Sequence, residues 1–232
     1  GDEGGMTTPH VDLTLPDAER RLAASLSIPW RDLLYTPGPD LTSPLDPGAY
    51  RSSLVVVRDD DVAVRVTSRV TPAFGGELCR LRLETLPLTR AAAFGSFFEP
   101  GRSGTVYAFT PDREGGAARA PERAEWRYEG ASLAARLGRV GQVRVLRERG
   151  RSGAGSWVAD RGLVLRCADG GECMLLGVTE PAEAALFLPA PGLYRALLDP
   201  HGAAQPGATV RDLLGHGDRD HDVEVTVELH PL

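Results

Sequence analysis

The sequence lacks lysine and asparagine altogether, and isoleucine occurs at a single position, Ile28. All 26 residues counted as lysine or arginine are therefore arginine. This bias is typical of proteins from very G+C-rich bacterial genomes, in which arginine replaces lysine as the ordinary surface cation. An arginine in this chain is consequently weaker evidence than usual for a bidentate or stacking contact with a ligand.

Long apolar runs and a rich supply of cysteine are missing as well. No stretch approaches the roughly 18 consecutive apolar residues of a membrane-spanning helix, and the first residues show neither the basic nor the apolar region of a secretory signal. Three cysteines in 232 residues are too few for a disulfide framework. These absences predict a soluble cytoplasmic protein that does not contact a membrane.

The formal net charge of −6 argues against nucleic acid as the main partner. Arginine is nevertheless concentrated between residues 113 and 151, where ten arginines accompany five glutamates. Aromatic side chains lie among these arginines, a combination typical of surfaces that bind an acidic partner or single-stranded nucleic acid. The candidate partner-binding residues are Trp126, Arg136, Arg139, Arg144 and Arg147. The alternative, which we favour, is a solvated basic face balanced by the acidic residues after position 199.

Polar and apolar residues alternate most clearly near the end of the sequence, from Asp222 to His230. Valine or leucine fills every second position there, which predicts a strand with one buried and one solvated face. Asp169-Gly170 lies between two apolar runs and predicts a tight hairpin turn, because this dipeptide accepts positive φ. The predicted strands are Leu54–Val57, Val62–Val70, Glu77–Glu84, Thr105–Phe109, Glu125–Tyr128, Gln142–Arg147, Gly162–Cys167, Glu172–Val178 and Asp222–His230.

A helix is predicted between Pro16 and Pro29. Proline suits its first position, acidic residues in the first turn complement the positive N-terminal end, and Pro29 stops it. The expected apolar stripe, which should pack on a sheet, consists of Leu15, Ala18, Leu22 and Leu26. Other segments are predicted as helices or turns: Trp30–Tyr35, Ala91–Phe98 (short helix or aromatic loop), Ser132–Leu137 and Thr209–Leu214.

These patterns together predict a mainly β fold, built of antiparallel meanders or a sandwich with a few short helices. The motif Pro-Gly-x-Tyr-Arg occurs at Pro47 and again at Pro191, which predicts two related halves produced by duplication. Residues 150–155 are rich in glycine and have the composition of a linker. The predicted domains are therefore residues 1–149 and 156–232, with one compact domain as the alternative.

A dense polar cluster between residues 216 and 222 is the main candidate for chemistry. Its histidines and aspartates are ligands that suit a divalent cation such as Zn²⁺ or Mn²⁺. The predicted metal ligands are His216, Asp218, Asp220 and His221. A calcium loop is excluded, since Val223 stands where glycine is needed and Leu229 where glutamate is needed. We favour a solvated turn over a metal site.

Two cysteines, Cys167 and Cys173, flank the predicted Asp169-Gly170 turn. We expect them to lie opposite each other across the hairpin. Their spacing is unlike the Cys-x-x-Cys motif of redox and zinc sites, so we expect these thiols, like Cys79, to pack as small apolar side chains.

Motifs of nucleophilic catalysis and of nucleotide binding are absent from the sequence, since it has neither Gly-x-Ser-x-Gly nor a glycine-rich phosphate loop. No organic cofactor is predicted, and a divalent metal is the one candidate. The favoured function is a non-enzymatic module that binds a protein or a small ligand. The alternatives are a metal-dependent hydrolase that uses the 216–222 cluster and, less favoured, nucleic-acid binding through residues 113–151.

Overall fold

The computed structural model describes the backbone of residues 7–35, 49–52, 54–95, 103–109, 122–125, 139–177, 184–190 and 223–232. Side chains are described for residues 7–33, 54–88, 139–177 and 223–232. Within these residues strands predominate, nearly all of them antiparallel, beside a single short α-helix. The predicted mainly β fold is therefore confirmed.

The largest sheet is built on a long hairpin near the middle of the sequence. In spatial order it contains β14 (Glu224–Pro231), β10 (Val140–Ser152), β11 (Gly155–Cys167), β12 (Glu172–Gly177), β13 (Ala184–Ala190) and β3 (Ala49–Ser52). All these neighbours pair antiparallel. A further strand, β1 (His10–Leu13), pairs in parallel with the first part of β11. The strand predicted at the end of the sequence is thus confirmed as β14.

Two smaller sheets come from residues 30–125. One contains β2 (Trp30–Tyr35), β4 (Leu54–Arg58), β5 (Ala63–Ala73) and β6 (Gly76–Leu86) in that order, which confirms the predicted meander. The other contains β7 (Leu88–Gly95), β8 (Ser103–Phe109) and β9 (Glu122–Glu125).

Two predicted helical or loop segments are strands instead. Trp30–Tyr35 pairs with the valine-rich β4, and residues 91–95 of the predicted Ala91–Phe98 segment pair with β8. In Trp30–Tyr35 the aromatic residues favour a strand once a partner strand is available. Residues 91–95, three alanines followed by Phe94 and Gly95, are a strand through their pairing with β8 and not through local propensity. Ser132–Leu137 and Thr209–Leu214 lie outside the described residues, as does most of Glu125–Tyr128.

The predicted helix is confirmed as α1 (Asp17–Ala24), followed by one 3-10 turn, Ser25–Ser27. Leu15 and Leu26 are buried as expected, but the inward alanine is Ala23 and Ala18 is exposed. The helix packs on β6 through Glu19, whose carboxylate accepts hydrogen bonds from the Leu83 backbone N–H at 2.8 Å and the Arg80 guanidinium at 3.0 Å.

The core lies between the large sheet and the β2-β4-β5-β6 sheet, which pack face to face as a sandwich. Both sheets contribute one apolar face, and one side of this interior is closed by Ala23 of α1 and Leu26 of the following 3-10 turn. The facing residues are Leu54, Val56, Val64, Val66, Leu81 and Leu83 from one sheet and Val143, Val145, Leu163, Leu165 and Leu175 from the other. Burial of these residues is the main force holding the two sheets together.

The segment predicted as a linker, residues 150–155, is part of the central hairpin. β10 continues to Ser152, and β11 begins at Gly155. Gly150 is required by packing, because a Cβ there would lie 2.0 Å from the ring of the buried Trp157. The glycines therefore reflect close contact as well as turn formation. The division into residues 1–149 and 156–232 stays a prediction, although strands from both ranges share the large sheet.

The predicted turn at Asp169-Gly170 is confirmed. Gly170 adopts φ +85°, and the turn is closed by hydrogen bonds from the Cys167 N–H to the Gly171 carbonyl and from the Gly170 N–H to the Cys167 carbonyl. The second Pro-Gly-x-Tyr-Arg motif, which begins at Pro191, lies outside the described residues, so the duplication stays a prediction. No helix in the described part of the chain has the length and apolar character needed to cross a membrane.

We expect the variant Gly150→Ala to lower the free energy of unfolding by about 1–3 kcal/mol, because the new methyl group displaces the buried Trp157 ring. Gly153→Ala is the matched control, since a Cβ at Gly153 meets no atom within 4 Å, and its effect should stay within about 0.5 kcal/mol. Urea denaturation followed by tryptophan fluorescence measures both. Equal stabilities for the two variants would contradict the packing described here.

Candidate functional site

The predicted metal ligands His216, Asp218, Asp220 and His221 lie outside the described residues, as do Trp126 and Arg136 of the predicted partner-binding strip. Within the residues that the structure describes, no group of three or more His, Cys, Asp or Glu side chains is arranged to hold a metal ion. The metal site at 216–222 therefore stays a prediction.

The three remaining arginines of the predicted strip lie on or beside β10 and have different surroundings. Arg139 is exposed. Arg144 forms an ion pair with Glu172 at 3.3 Å, and Arg147 binds the carboxylate of Asp160 at 2.7 Å. The charges of Arg144 and Arg147 are thus offset inside the protein, which makes these two poor ligands for a phosphate backbone.

A buried polar cluster around Asp160 and Arg161, which was not predicted from the sequence, is the most unusual in the described residues. β10 and β11 shift register between Leu146 and Arg147, which makes Arg161 an extra residue in β11, a β-bulge. On the other edge of β11, pairing with β1 extends as far as Ala159, and pairing with β12 starts at Gly162. Asp160 and Arg161 therefore lie where two neighbouring strands end against the same edge.

The side chains of these two residues bind the ends of the neighbouring strands. Asp160 accepts a hydrogen bond at 2.7 Å from the backbone N–H of Leu15, just beyond β1. Arg161 donates at 3.1 Å to the carbonyl of Gly177, the last residue of β12. Both side chains are almost completely buried, with exposed fractions of 0% and 1%. They complete the hydrogen bonding of the sheet at the gap, where unpaired backbone groups would be costly.

Each buried charge at the gap has an oppositely charged partner on β10. Arg147 donates to Asp160 at 2.7 Å and 3.2 Å, and these hydrogen bonds raise the pKa of Arg147. Glu148, with 1% of its surface exposed, accepts hydrogen bonds from Arg161 at 3.1 Å and from the indole N–H of Trp157 at 2.7 Å. Two ion pairs from consecutive residues of each strand thus cross the bulge.

The sequence did contain a signal for this cluster. Asp160-Arg161 interrupts an otherwise apolar run from Trp157 to Leu165, and both faces of that run are buried in the structure. Two charges inside such a strand require partners. The partners cannot be identified from local pattern alone, since Glu148 and Arg147 lie 13 residues away along a strand whose register is set by the bulge.

The three cysteines are all free and buried, as expected. Burial raises the pKa of Cys79 and of Cys173, and it raises the pKa of Cys167 to about 11. The prediction that Cys167 and Cys173 lie directly opposite is wrong, because Cys173 pairs with Leu165 in the observed register. Thiols with raised pKa values remain protonated at neutral pH, so they are poor nucleophiles and poor metal ligands.

A second unpredicted contact joins residues 146 positions apart on the surface. His10 Nδ1 lies 2.8 Å from the hydroxyl oxygen of Ser156, a base beside a hydroxyl. Asp12, two residues along β1, accepts hydrogen bonds from the Thr14 backbone N–H and hydroxyl, which lower the pKa of Asp12. Its carboxylate is thus directed to Thr14, and no hydrogen bond to His10 is found within the described residues. The contact lacks the third group that orients the base in a catalytic triad.

The exposed face of β10 and β14 carries a row of ion pairs. Arg149 binds Glu228 at 2.7 Å, Arg151 binds Glu224 at 2.7 Å, and His230 lies 2.8 Å from the Glu228 carboxylate. The hydrogen bonds from Arg149 and His230 lower the pKa of Glu228 to about 2. Two arginines of the basic region thus pair with glutamates of the acidic region, while the balance of the two regions as a whole stays a prediction.

Comparison with known proteins adds nothing to this geometry, because no protein-family model, curated protein or solved structure matches the chain.

We expect Arg161→Met to lower the free energy of unfolding by about 3–5 kcal/mol at pH 7, because Glu148 is then left charged and buried without this partner. With the Arg161 guanidinium removed, the buried Glu148 carboxylate should have a raised pKa in the folded state, so stability should fall as pH rises and the loss should shrink toward pH 5. The double variant Arg161→Met/Glu148→Leu should recover part of the loss. Chemical denaturation across this pH range measures all three proteins.

Removal of the exposed pair by Arg151→Ala is the matched control, and its effect should stay within about 1 kcal/mol. A loss in Arg161→Met no larger than in this control would contradict the role assigned to the buried pair.

We expect the three native thiols to react with an aromatic disulfide reagent only as fast as the protein opens, because all are buried and protonated. In urea all three should react at once. Rapid stoichiometric reaction of any one of them in the native protein would contradict the burial described for it.

Proposed function

We propose that this chain is a non-enzymatic interaction module of the bacterial cytoplasm, whose partner is a protein or a small ligand. The proposal rests on how the described part of the molecule uses its charged groups. The buried Glu148, Asp160 and Arg161 join β10 to β11 and hydrogen-bond the ends of β1 and β12. The three cysteine thiols are buried and protonated. Groups used in this way hold a scaffold together and are not available to bind or activate a substrate.

The scaffold itself also supports a binding role. A β-sandwich held by ion pairs across its longest hairpin presents rigid strands and edges, which are common elements of recognition surfaces. The exposed ion pairs on β10 and β14 give this surface both charge signs. Such a surface favours an electrostatically mixed partner over a uniformly anionic one.

The two alternatives are weaker on the described residues. Binding of nucleic acid through the predicted strip is less favoured, because two of its five residues, Arg144 and Arg147, are engaged with carboxylates. A metal-dependent hydrolase would use His216, Asp218, Asp220 and His221, which remain a prediction from sequence.

One experiment separates the interaction module from the metal enzyme. The chain, carrying an affinity tag, is purified from its native host beside a differently tagged copy, and the eluate is analysed for co-purifying protein and for bound metal. We expect a specific partner, either the second copy or a host protein, and less than about a tenth of an equivalent of metal. The variant His216→Ala/Asp218→Ala is the matched control and should leave the recovered partner unchanged.

Two outcomes would contradict the proposal. Near-stoichiometric zinc or manganese that disappears in the double variant would favour the hydrolase. Failure to recover any partner under any growth condition would remove the support for a binding role.

A further inference from the structure

The outer edge of β14 is the feature that leads beyond the proposed function. β14 forms one end of the large sheet, and among the described strands β10 is its one neighbour. Its eight residues pair with β10 without any register shift. A long, regular edge strand exposes backbone groups that are able to pair with another strand.

The usual protections of an edge strand are sparse along β14. Its inward-facing positions are the apolar, half-buried Val225, Val227 and Leu229, with no charge among them. Pro231 stands only at its end. Inward charges, central prolines and bulges are three of the features that discourage edge pairing in natural proteins, and β14 has none of them in its interior. Its charged residues Glu224 and Glu228 lie on the solvated face.

We propose that β14 pairs antiparallel with β14 of a second copy of this chain, about a two-fold axis at Val227. This inference rests on the proposed function, because it names the partner of the binding module. In this register Val227 faces Val227 of the second copy and Val225 faces Leu229. On the polar face, Thr226 lies opposite Glu228 and Glu224 lies opposite His230. Apolar residues thus meet apolar residues, and the acidic Glu224 meets a base.

The neighbouring registers are disfavoured by the same residues. A shift of the two-fold axis to Glu228 would place Glu228 opposite Glu228, and a shift to Thr226 would place Glu224 opposite Glu228. Like charges directly opposite are destabilising. A slip of one residue in the pairing would put valines and glutamates on the same face. Of these registers, the one centred on Val227 alone avoids opposed like charges while it pairs most of the strand, residues 223–231.

Such a contact is isologous, so both copies use the same surface and the assembly closes as a dimer. It would join the two large sheets into one continuous sheet through main-chain hydrogen bonds, the mode of recognition called β-strand addition. Each favourable side-chain pair away from the axis occurs twice by symmetry.

Cysteine crosslinking tests the register directly. In Val227→Cys the two new thiols lie opposite each other, with Cβ atoms about 5 Å apart. In Leu229→Cys, the matched control on the same face, the thiols are displaced by four residues along the strands, or about 13 Å. The native cysteines are buried and do not compete. With a mild copper oxidant we expect most of the Val227→Cys protein to become a covalent dimer, and little of the control.

A charge variant tests the contact without weakening the fold. In Thr226→Glu the new carboxylate faces Arg149 within its own chain, because these positions pair in the sheet. Across the two-fold axis it faces Glu228, twice. We expect the dimer dissociation constant to rise by about tenfold or more, with a Tm close to the wild-type value when both proteins are measured at concentrations at which they are monomers. Thr85→Glu, at an exposed threonine on β6, is the matched control and should dimerise like the wild type.

Sedimentation of the wild-type protein completes the test. A monomer at concentrations up to about 100 μM, the weak end of specific association, would overturn the inference. Equal crosslinking of Val227→Cys and Leu229→Cys would overturn the register, as would dimerisation of Thr226→Glu at the wild-type level. If a host protein is recovered by the tagged chain while these tests fail, the self-pairing is wrong and the binding module stands.

Discussion

The large sheet depends on how one gap on the edge of β11 is filled. β1 and β12 approach that edge from opposite directions and leave Asp160 and Arg161 between them. An open gap would bury unpaired backbone groups at the centre of the molecule, at a cost of about 1–3 kcal/mol for each. The bulge supplies two side chains long enough to reach the ends of both strands. A regular strand would present these residues with different spacing, so the bulge and the gap belong together.

Asp160 and Arg161, which occupy the gap, bring charges into the interior, and buried charges are stable only when they are paired. Burying a charge is expensive, and the attraction of a partner offsets the cost only when further hydrogen bonds are made. Glu148 receives the Trp157 indole as well as Arg161, and Asp160 receives the Leu15 backbone as well as Arg147. Because these contacts form in one register only, they specify how β10 meets β11. The charges thus contribute to selecting a single arrangement of the sheet.

Much of the architecture was predictable from the sequence, for reasons that are local. Alternation identified β14, the valine-rich runs identified β4 to β6, and Asp169-Gly170 identified a turn that needs positive φ. The wrong predictions of secondary structure concern segments whose conformation depends on contacts with residues elsewhere in the chain. Trp30–Tyr35 is a strand because β4 lies beside it. Residues 150–155 have the composition of a linker, but Gly150 is a strand residue that lies against the Trp157 ring, a contact that composition does not reveal.

The candidate sites were harder to predict than the strands. Arg144 and Arg147 appeared as part of a basic strip, since composition does not reveal that each has a carboxylate beside it. His10 and Ser156 are separated by 146 positions and meet only because β1 pairs with β11. Sites of this kind are products of topology, whereas turns and amphipathic strands are products of neighbouring residues.

The pairing of β10 with β14 has a consequence for how the chain acquires its structure during synthesis. Arg149 and its partner Glu228 are 79 positions apart, so the ribosome needs roughly 4–16 s to deliver the second strand after the first. During that interval the edge of β10 that pairs with β14 in the native protein has no partner strand. During synthesis this is therefore an unpaired strand edge, the kind of surface through which incomplete chains associate.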